Sequence, residues 1–515
     1  MTMRAKFLLL IGLCGWIGFA AACGAPAANA PKLQAVNSAA TAPARTLQRA
    51  DLDANENVSA ATQTQGSTDL SLDDVIVTQA VYNEPLIFNK ETVVRAVIGS
   101  RGAGAYQANV TAQFDGKTYS QTQPVQGKQT IVDVLVGAPQ NFQTQTINVR
   151  VEPTGQVTDD DESNNSKSVT LPMVKPSERI VAYFLPVDWT DDQRQRYNFG
   201  VNFPKFVDEN AIYLRSAYPL PQDQIVVDYS LVPHMLAAAE KRLANNQGDT
   251  DMVSSHLLYA TISLAARRLK PDASLVVGVF PPGWFAAHGK RSTLGLALAD
   301  VKGTVTAQYV LTDATTSAHE LAHLYWLYED YDYSIQPPRP FTWLDRSGYF
   351  VEKRTPEEIS PTKQIPTFLS AYAPDKPSWV DTRIYEYLTA KFTIQNNGQV
   401  TAPMILAATM ARQVEPDDKN YPSDYSAGWQ RFEPKQTAYV SVGAAGMNGG
   451  ETIEARWFLG DRQVFQESKT AKPGDAWYAF SLRNKNGMPE GNYHVDVYLN
   501  GQLVKTSKFE VKSSQ

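Results

Sequence analysis

The chain has 515 residues, of which 47 are Lys or Arg and 53 are Asp or Glu, giving a formal net charge of -6. This length allows several domains, and the scattered basic residues give no support to a nucleic-acid-binding surface. The 2 cysteines, Cys14 and Cys23, exclude a disulfide-rich class of protein.

The first residues, 1–22, predict an export signal. Two basic residues precede an apolar run over 7–22, which is too short to span a membrane comfortably and ends in small residues. The stretch AAAC, ending at Cys23, resembles a degenerate bacterial lipobox, with an alanine where leucine is usual. This resemblance implies that Cys23 carries a lipid, which holds the exported protein at the cell envelope or cell surface. Secretion after residue 22 is the alternative.

Residues 23–69 are predicted to form a lipid-anchored flexible linker. They are rich in Ala, Thr, Gln, Asn and Pro and carry few bulky apolar side chains. Such a composition cannot bury enough apolar surface to offset the entropy that is lost on folding.

Residues 70–176 are predicted to form a β-sandwich. The runs Val75–Val77, Thr92–Val97 and Val110–Phe114 are rich in β-branched residues and are separated by segments that contain Gly and Asn. Asp115–Gly116 stands between two alternating runs and predicts a hairpin.

The end of this domain carries an acidic turn, Asp159–Ser166, followed by a last predicted strand, Ser168–Leu171. An acidic turn, paired asparagines and a final strand resemble the bacterial cell-adhesion-related β-sandwich modules of the CARDB type. We expect a solvated turn, because the ordered spacing of a dedicated calcium loop is absent. Calcium binding is the alternative, since clustered carboxylates suit a hard cation.

Residues 177–415 are predicted to form an α/β domain, because short apolar runs alternate with helical patterns. The predicted strands are Ile180–Leu185, Gln224–Tyr229 and Leu275–Phe280, and the predicted helices are Met235–Leu243 and Leu257–Leu269.

The most informative pattern is HELAH at 319–323, in a segment with the apolar spacing of a helix. On a helix, His319 and His323 lie on one face, so that both imidazoles can reach a single metal ion. Glu320 stands beside the first histidine, where a carboxylate can activate water at a zinc site. The pattern therefore predicts a zinc hydrolase that needs a third protein ligand and an open fourth position.

The run HELAHLYWLYEDYD over 319–332 resembles the HExxHxxGLxDEYD pattern of zincin metallopeptidases of the metzincin-like and IgA-peptidase-like kinds. The resemblance implies peptide hydrolysis with Glu329 as the third zinc ligand. The glycine of the family pattern is Trp326 here, and the chain must turn near it to bring Glu329 to the metal. A tryptophan is unfavourable at positive φ, so the turn and the ligand have alternatives. The alternative ligands are Asp330, Asp332, Asp345 and Glu352.

A second resemblance to the same peptidases lies over 365–372, followed by a helical pattern over 382–392. In those enzymes a methionine-containing turn lies under the zinc, and here Leu369 or Ser370 takes its place. Tyr372 matches the family tyrosine that approaches the metal or stabilises the oxyanion. An ordinary packed aromatic side chain is the alternative for Tyr372.

Two further segments complete the predicted domain. The small residues Gly295–Ala299 suit an edge strand of the kind with which zincin substrates pair, and an interior strand is the alternative. Met404 and Met410 lie in an Ala-rich pattern that predicts a helix with core side chains.

Residues 416–515 are predicted to form a second β-sandwich. Alternation around Tyr493 and Val495 indicates a strand, and Asn500–Gly501 indicates a type I′ turn into the next one. His494 falls on the polar side and is expected to be solvated.

These features predict a multidomain protein, with an α/β zincin-like catalytic domain flanked by two Ig-like β-sandwich domains. Its predicted function is that of a zinc metalloendopeptidase that hydrolyses peptide bonds of extracellular proteins or glycoproteins. Glu320 would take a proton from the attacking water and deliver it to the leaving amine. The predicted Zn2+ ligands are His319, His323 and Glu329.

The alternative function is a non-catalytic, zinc-containing adhesion or glycan- or protein-binding lipoprotein. Trp326 and the missing methionine keep this alternative open. Glu320 favours the enzyme, because a structural zinc site has no need of it. The predicted partners are a protein substrate and, through Cys23, the membrane, with no nucleic acid.

Overall fold

The computed structural model describes only part of the chain. The described residues are 67–101, 106–125, 128–155, 157–188, 197–235, 252–282, 284, 295–297, 303–308, 315–328, 334–335, 365–366, 368–369, 380–416, 418–423 and 426–513. The predicted export signal, the predicted linker up to residue 66 and the predicted helix after Met235 lie outside them.

Nine strands open the described chain, and all but the second form two facing sheets. They are β1 Ser67–Thr78, β2 Leu86–Ile87, β3 Thr92–Arg101, β4 Tyr106–Phe114, β5 Lys117–Val125, β6 Gln129–Gly137, β7 Gln145–Pro153, β8 Thr158–Asp159 and β9 Ser166–Leu171. The orders are β6-β3-β1-β8 and β5-β4-β7-β9, with a Val- and Ile-rich core between the sheets. The all-β pattern predicted for this part is confirmed.

The predicted hairpin between β4 and β5 is also confirmed. Its two turn residues, Asp115 and Gly116, have φ angles of 49° and 75°. A type I′ turn requires positive φ at both positions, which asparagine, aspartate and glycine tolerate best.

The acidic turn before β9 is closed by its own hydrogen bonds. Asp159 Oδ1 accepts from the backbone N–H groups of Leu70 at 3.3 Å and Asp161 at 3.2 Å. Asp159 Oδ2 accepts from Asn165 Nδ2 at 2.9 Å, and Asp161 caps a short 3-10 helix, Glu162–Asn164. These bonds suit the predicted solvated turn, while calcium binding there stays a prediction.

A mixed sheet and four helices follow in the described chain. The strands are β10 Met173–Lys175, β11 Ile180–Asp188, β12 Ile225–Tyr229, β13 His234–Met235, β14 Leu275–Phe280, β15 Gly295–Ala297 and β16 Thr304–Gln308, and the helices are α1 Asn202–Ala217, α2 Met252–Leu269, α3 Thr316–Leu324 and α4 Thr382–Ile394. The sheet order is β12-β11-β14-β16-β15, with β13 also beside β11.

Most elements of this region agree with the sequence patterns. The predicted strands correspond to β11, β12 and β14, and the predicted helix Leu257–Leu269 lies within α2. Met235 was predicted to begin a helix, which is wrong, because it pairs with Asp188 of β11 as part of β13. The sequence analysis also missed α1.

Strand β15 lies at the end of the sheet as far as the described residues extend. It runs antiparallel to β16, whereas β11, β12, β14 and β16 are parallel to one another. The edge position predicted for the segment from Gly295 is therefore confirmed over Gly295–Ala297.

The remaining strands form two small sheets and a second sandwich. They are β17 Ser334–Ile335, β18 Ile365–Pro366, β19 Gln399–Val400, β20 Met404–Ala411, β21 Arg431–Phe432, β22 Ala438–Met447, β23 Thr452–Leu459, β24 Arg462–Thr470, β25 Gly474–Leu482, β26 Gly491–Leu499 and β27 Gln502–Val511. Sheets of order β20-β22-β25 and β21-β27-β26-β23-β24 enclose a separate core. The short sheets are β17-β18 and β19-β10-β2.

Two expectations for this part are corrected and one is confirmed. The helix predicted around Met404 and Met410 is wrong, because both lie in β20, which pairs antiparallel with β22. His494 is only half-exposed, since its ring stacks on Phe458 with centroids 4.6 Å apart. The type I′ turn is confirmed by φ angles of 51° at Asn500 and 81° at Gly501.

Strand outweighs helix in the described residues, at 51% against 17%. The chain is therefore mainly β, and helices α1 to α4 lie between residues 202 and 394. None of the described helices is both long and apolar enough to cross a membrane.

A buried charge cluster joins three parts of this fold. Lys505 Nζ of β27 lies 2.9 Å from Glu84 Oε2, in the segment after β1, and 2.7 Å from Glu386 Oε1 of α4. Their side chains are only 16%, 15% and 13% exposed. Two carboxylates thus share one ammonium group, and we refer to these three residues as the Lys505 cluster.

The first testable prediction concerns Glu386. Burial raises its pKa to about 8, with Lys505 opposing and Glu84 adding to the shift. A carboxyl whose pKa is raised by folding contributes stability that is full below its unfolded pKa and is lost as pH rises through about 8. Glu386→Gln should therefore flatten the fall in Tm between about pH 5 and 8. An unchanged fall, as expected for the exposed control Glu467→Gln, would contradict this.

Candidate metal centre

Helix α3 carries the histidine pair and packs beside β15 and β16. Its first full turn is in place at the motif, where His319 N–H donates to Thr315 O at 2.9 Å. Glu320 is buried, whereas both histidines are partly exposed. The other buried residues of the helix are Thr316, Ser317, Ala318, Leu321 and Ala322.

The two imidazoles converge as the spacing predicts. The Nε2 atoms of His319 and His323 lie 3.0 Å apart. His319 Nδ1 lies 2.7 Å from Phe368 O, and His323 Nδ1 lies 2.9 Å from Leu327 O. A carbonyl oxygen only accepts, so each Nδ1 must carry the proton and donate. In the neutral rings both Nε2 lone pairs then face the same point.

This arrangement fits a shared cation. Nitrogens bound to tetrahedral zinc at roughly 2.0–2.1 Å lie about 3.3 Å from each other, close to the observed separation. Histidines that ligate metals usually donate their other N–H to a carbonyl or carboxylate, as both do here. Burial lowers the pKa of His319, with the hydrogen bond to Phe368 opposing it, which is in keeping with a neutral ring.

The third ligand has no structural answer. Glu329 and the alternatives Asp330, Asp332, Asp345 and Glu352 lie outside the described residues, as do Ser370 and Tyr372. Within the described ranges, no group of three or more His, Cys, Asp or Glu residues could hold a metal ion.

Helix α3 ends in a Schellman motif built on Trp326. Trp326 has a φ of 72°, and its N–H donates to His323 O at 3.0 Å. Leu327 N–H reaches back to Ala322 O at 3.4 Å, which completes the paired bonds of this motif. The predicted turn at the position of the family glycine is therefore confirmed, although a tryptophan makes it.

The same turn is where Leu327 O meets His323. Tyr328 N–H donates to Ala427 O at 2.9 Å, and Ala427 N–H donates to Trp326 O at 3.1 Å. The segment leaving the helix is thus fixed to the chain before β21. The unfavourable φ of Trp326 is offset by these bonds and secures the acceptor for His323 Nδ1.

Trp326 provides a second testable prediction. A left-handed backbone costs a residue with Cβ roughly 1–2 kcal/mol relative to glycine. Trp326→Gly should therefore leave a protein about 1 kcal/mol more stable to urea than Trp326→Ala, although both lose the ring. The matched pair Leu324→Gly and Leu324→Ala, within the helix, should show the opposite order. An alanine variant at 326 as stable as the glycine variant would contradict the turn.

A buried polar cluster supports the turn from below. Tyr387 OH of α4 donates to Tyr325 O at 2.7 Å, and Lys391 Nζ donates to Tyr387 OH at 3.3 Å. Burial lowers the pKa of Lys391 to about 7, against the opposing charges of Glu178 and Glu415. The sequence analysis missed this support, because nothing in the spacing of α4 relates it to residue 325.

The turn predicted to replace the methionine turn does meet the site. Phe368 and Leu369 are fully buried, and Phe368 O is the acceptor for His319 Nδ1. Leu369 also lines a small cavity beside Leu327 and Ile384. The segment therefore contacts a histidine through its backbone.

The fold and site so described are those of a mainly β protein with a histidine pair on a short helix. No protein-family model matches the chain, and no curated protein matches it. Among solved structures, it is similar to the CARDB domain of a Pyrococcus furiosus protein in complex with di-metal ions. That likeness has 18% identity over 21% of this chain and 96% of the other, with a TM-score of 0.17.

Two other structures are also similar to parts of the chain. A domain of a putative cell surface protein from Methanosarcina acetivorans has 22% identity over 20% of this chain and 90% of its own, with a TM-score of 0.17. Catalytically inactive OgpA from Akkermansia muciniphila, in complex with an O-glycopeptide substrate, has 9% identity over 66% and 94%, with a TM-score of 0.23. At TM-scores this low, the likenesses carry no argument about the chemistry of this chain.

Proposed function

We propose that the chain is a zinc metalloendopeptidase that hydrolyses peptide bonds of extracellular proteins or glycoproteins. The observation that carries the proposal is the approach of two histidine Nε2 atoms to 3.0 Å on the helix that also carries Glu320. A binding module could use the histidines alone. A buried carboxylate next to the first histidine has a use in hydrolysis.

In this proposal His319, His323 and Glu329 hold the zinc ion. The Nδ1–H groups of the histidines are committed to the carbonyls of Phe368 and Leu327, which leaves both Nε2 atoms for the metal. When bound, zinc supplies a Lewis acid that polarises a carbonyl and acidifies water.

The remaining chemistry belongs to side chains of this chain. Glu320 takes a proton from the attacking water and later gives it to the leaving amine. Tyr372 donates a hydrogen bond to the developing oxyanion.

Strand β15 supplies the substrate-binding edge in this proposal. It is antiparallel to β16, lies at the end of the described sheet and packs beside α3. An edge strand offers backbone N–H and C=O groups with which an extended peptide pairs. The small residues of Gly295–Ala297 allow such a peptide to approach closely.

The proposal includes location at the cell envelope or cell surface. The export signal and the lipid on Cys23 support it from the sequence, with secretion as the alternative. A tethered enzyme would meet extracellular proteins within the reach of the linker over residues 23–69.

The test is cleavage of a diverse library of peptides and glycopeptides by the zinc-loaded protein without its export signal. Cuts that a chelator abolishes and zinc restores support the peptidase. The same protein with Glu320→Gln should make none of them. A folded, zinc-loaded protein that cuts nothing in the library, nor any folded extracellular protein, would favour the non-catalytic adhesion or glycan-binding alternative.

A further inference from the structure

Tyr218 contacts both supports of one predicted zinc ligand. This fully buried residue follows α1, and its hydroxyl donates to Ala318 O at 2.7 Å. Its ring packs against Phe368 with centroids 6.3 Å apart. Ala318 precedes His319 in α3, and Phe368 O accepts the Nδ1–H of His319. One tyrosine thus fixes the helix and the turn between which His319 is held.

Tyr218 is in turn held by a lysine from the N-terminal sandwich. Lys90, between β2 and β3, is 2% exposed, and its Nζ donates to Arg215 O and, at 3.0 Å, to Tyr218 O. These carbonyls lie at the C-terminal end of α1, where the helix leaves its carbonyls without helical partners. The cation is also favoured by the negative end of the helix dipole.

The loop that carries Lys90 is braced by a buried glutamine. Gln79 Nε2 donates to Ile87 O at 3.0 Å, to Lys90 O at 2.8 Å and to Thr92 Oγ1 at 2.9 Å. Gln79 Oε1 accepts from Ile87 N–H at 2.6 Å. The position of Lys90 is therefore set by the sandwich itself, which makes the link to Tyr218 a stiff one.

We propose that Tyr218 is a positioning residue for His319 and that Lys90 makes the N-terminal sandwich a working part of the metal centre. The inference rests on the proposed zinc site. The hydroxyl of Tyr218 fixes α3 relative to Phe368, so that the Nδ1–H···O bond of His319 forms. Loss of partners behind a ligating histidine typically weakens metal binding about 10- to 100-fold.

The test begins with Tyr218→Phe, which removes the hydroxyl and keeps the ring. We expect the Kd for zinc to rise about 10-fold or more, and the visible absorption of the cobalt(II)-loaded protein to change. The matched control is Tyr493→Phe in the C-terminal sandwich. Tyr493 is buried and donates to Pro489 O at 2.8 Å, so that the control loses the same kind of bond. Its zinc affinity and cobalt spectrum should equal those of the wild type.

Lys90→Met tests the link to the sandwich. It should weaken zinc binding in the same direction, because Tyr218 O loses its donor. Since both substitutions act through Tyr218, the double variant should lose less affinity than the product of the single losses. Independent losses that multiply would contradict the link, and a folded Tyr218→Phe protein with the wild-type Kd and cobalt spectrum would overturn the positioning role.

The outcome can be separated from that of the proposed function. If the wild-type protein binds no zinc, the peptidase proposal fails, and the positioning role is then measured in the metal-free protein. The ring 15N resonances of His319, assigned with a His319→Gln variant, should shift in Tyr218→Phe and stay in place in Tyr493→Phe. Resonances that stay in place in both variants would overturn the positioning role.

Discussion

Glu320→Gln is expected to lower kcat/KM for peptide cleavage by about 100- to 10,000-fold, the usual contribution of a general acid–base group. Glutamine keeps the size of the side chain and its burial within α3, but it cannot take a proton from water at neutral pH. Because the histidines keep their Nδ1–H bonds to Phe368 and Leu327, the variant should still bind one zinc ion. Peptide kinetics and the zinc content of the purified protein measure the two halves of this expectation.

The matched control is Glu467→Gln, on the exposed strand β24 of the C-terminal sandwich. It makes the same chemical change away from α3 and should leave kcat/KM as in the wild type. A Glu320→Gln protein that keeps zinc and cleaves at the wild-type rate would remove Glu320 from the reaction. A variant that loses zinc together with activity would instead assign the carboxylate a part in the architecture of the site.

The convergence of the two histidines was predictable, because residues four apart on a helix share a face. The groups that orient their rings were not. Both are backbone carbonyls, which every residue possesses, and Phe368 lies 49 residues beyond His319. Sequence spacing thus identifies which side chains meet, while the atoms that fix a tautomer depend on tertiary packing.

The turn at Trp326 shows a different limit. Its necessity was predictable, since Glu329 would otherwise point away from the histidines. The backbone conformation was not, because a tryptophan at positive φ goes against its own preference. Paired hydrogen bonds from Trp326 and Leu327, together with Ala427, outweigh that preference. Such contacts come from a segment about 100 residues away along the chain.

The misassigned elements have local causes. The segment Met404–Ala411 is buried at every position, and a continuous apolar run shows no period that separates strand from helix. Helix α1 did leave a signal, since Phe203, Phe206 and Val207 follow helical spacing and are buried. A proline near its start, at 204, is compatible with a first helical turn.

The Lys505 cluster should have the largest effect on stability. Lys505→Met removes the ammonium group and leaves the carboxylates of Glu84 and Glu386 buried beside each other. Removing one partner of a buried ion pair typically costs 3–5 kcal/mol, and we expect a loss of about 4 kcal/mol in the free energy of unfolding in urea. The exposed pair of Lys472 and Asp418, 3.7 Å apart, provides the control, because Lys472→Met should cost less than about 1 kcal/mol.

The origin of that loss can be separated from the loss of packing. If uncompensated charge is the cause, replacing both carboxylates in the Lys505→Met protein, by Glu84→Gln and Glu386→Gln, should recover a large part of the lost stability. If the cause is the lost packing of the lysine stem, the triple variant should be no more stable than the single one. Recovery would show that this ion cluster constrains the placement of the two sandwiches and α4 through the need to pair charges. A single variant within about 1 kcal/mol of the wild type would contradict a buried cluster altogether.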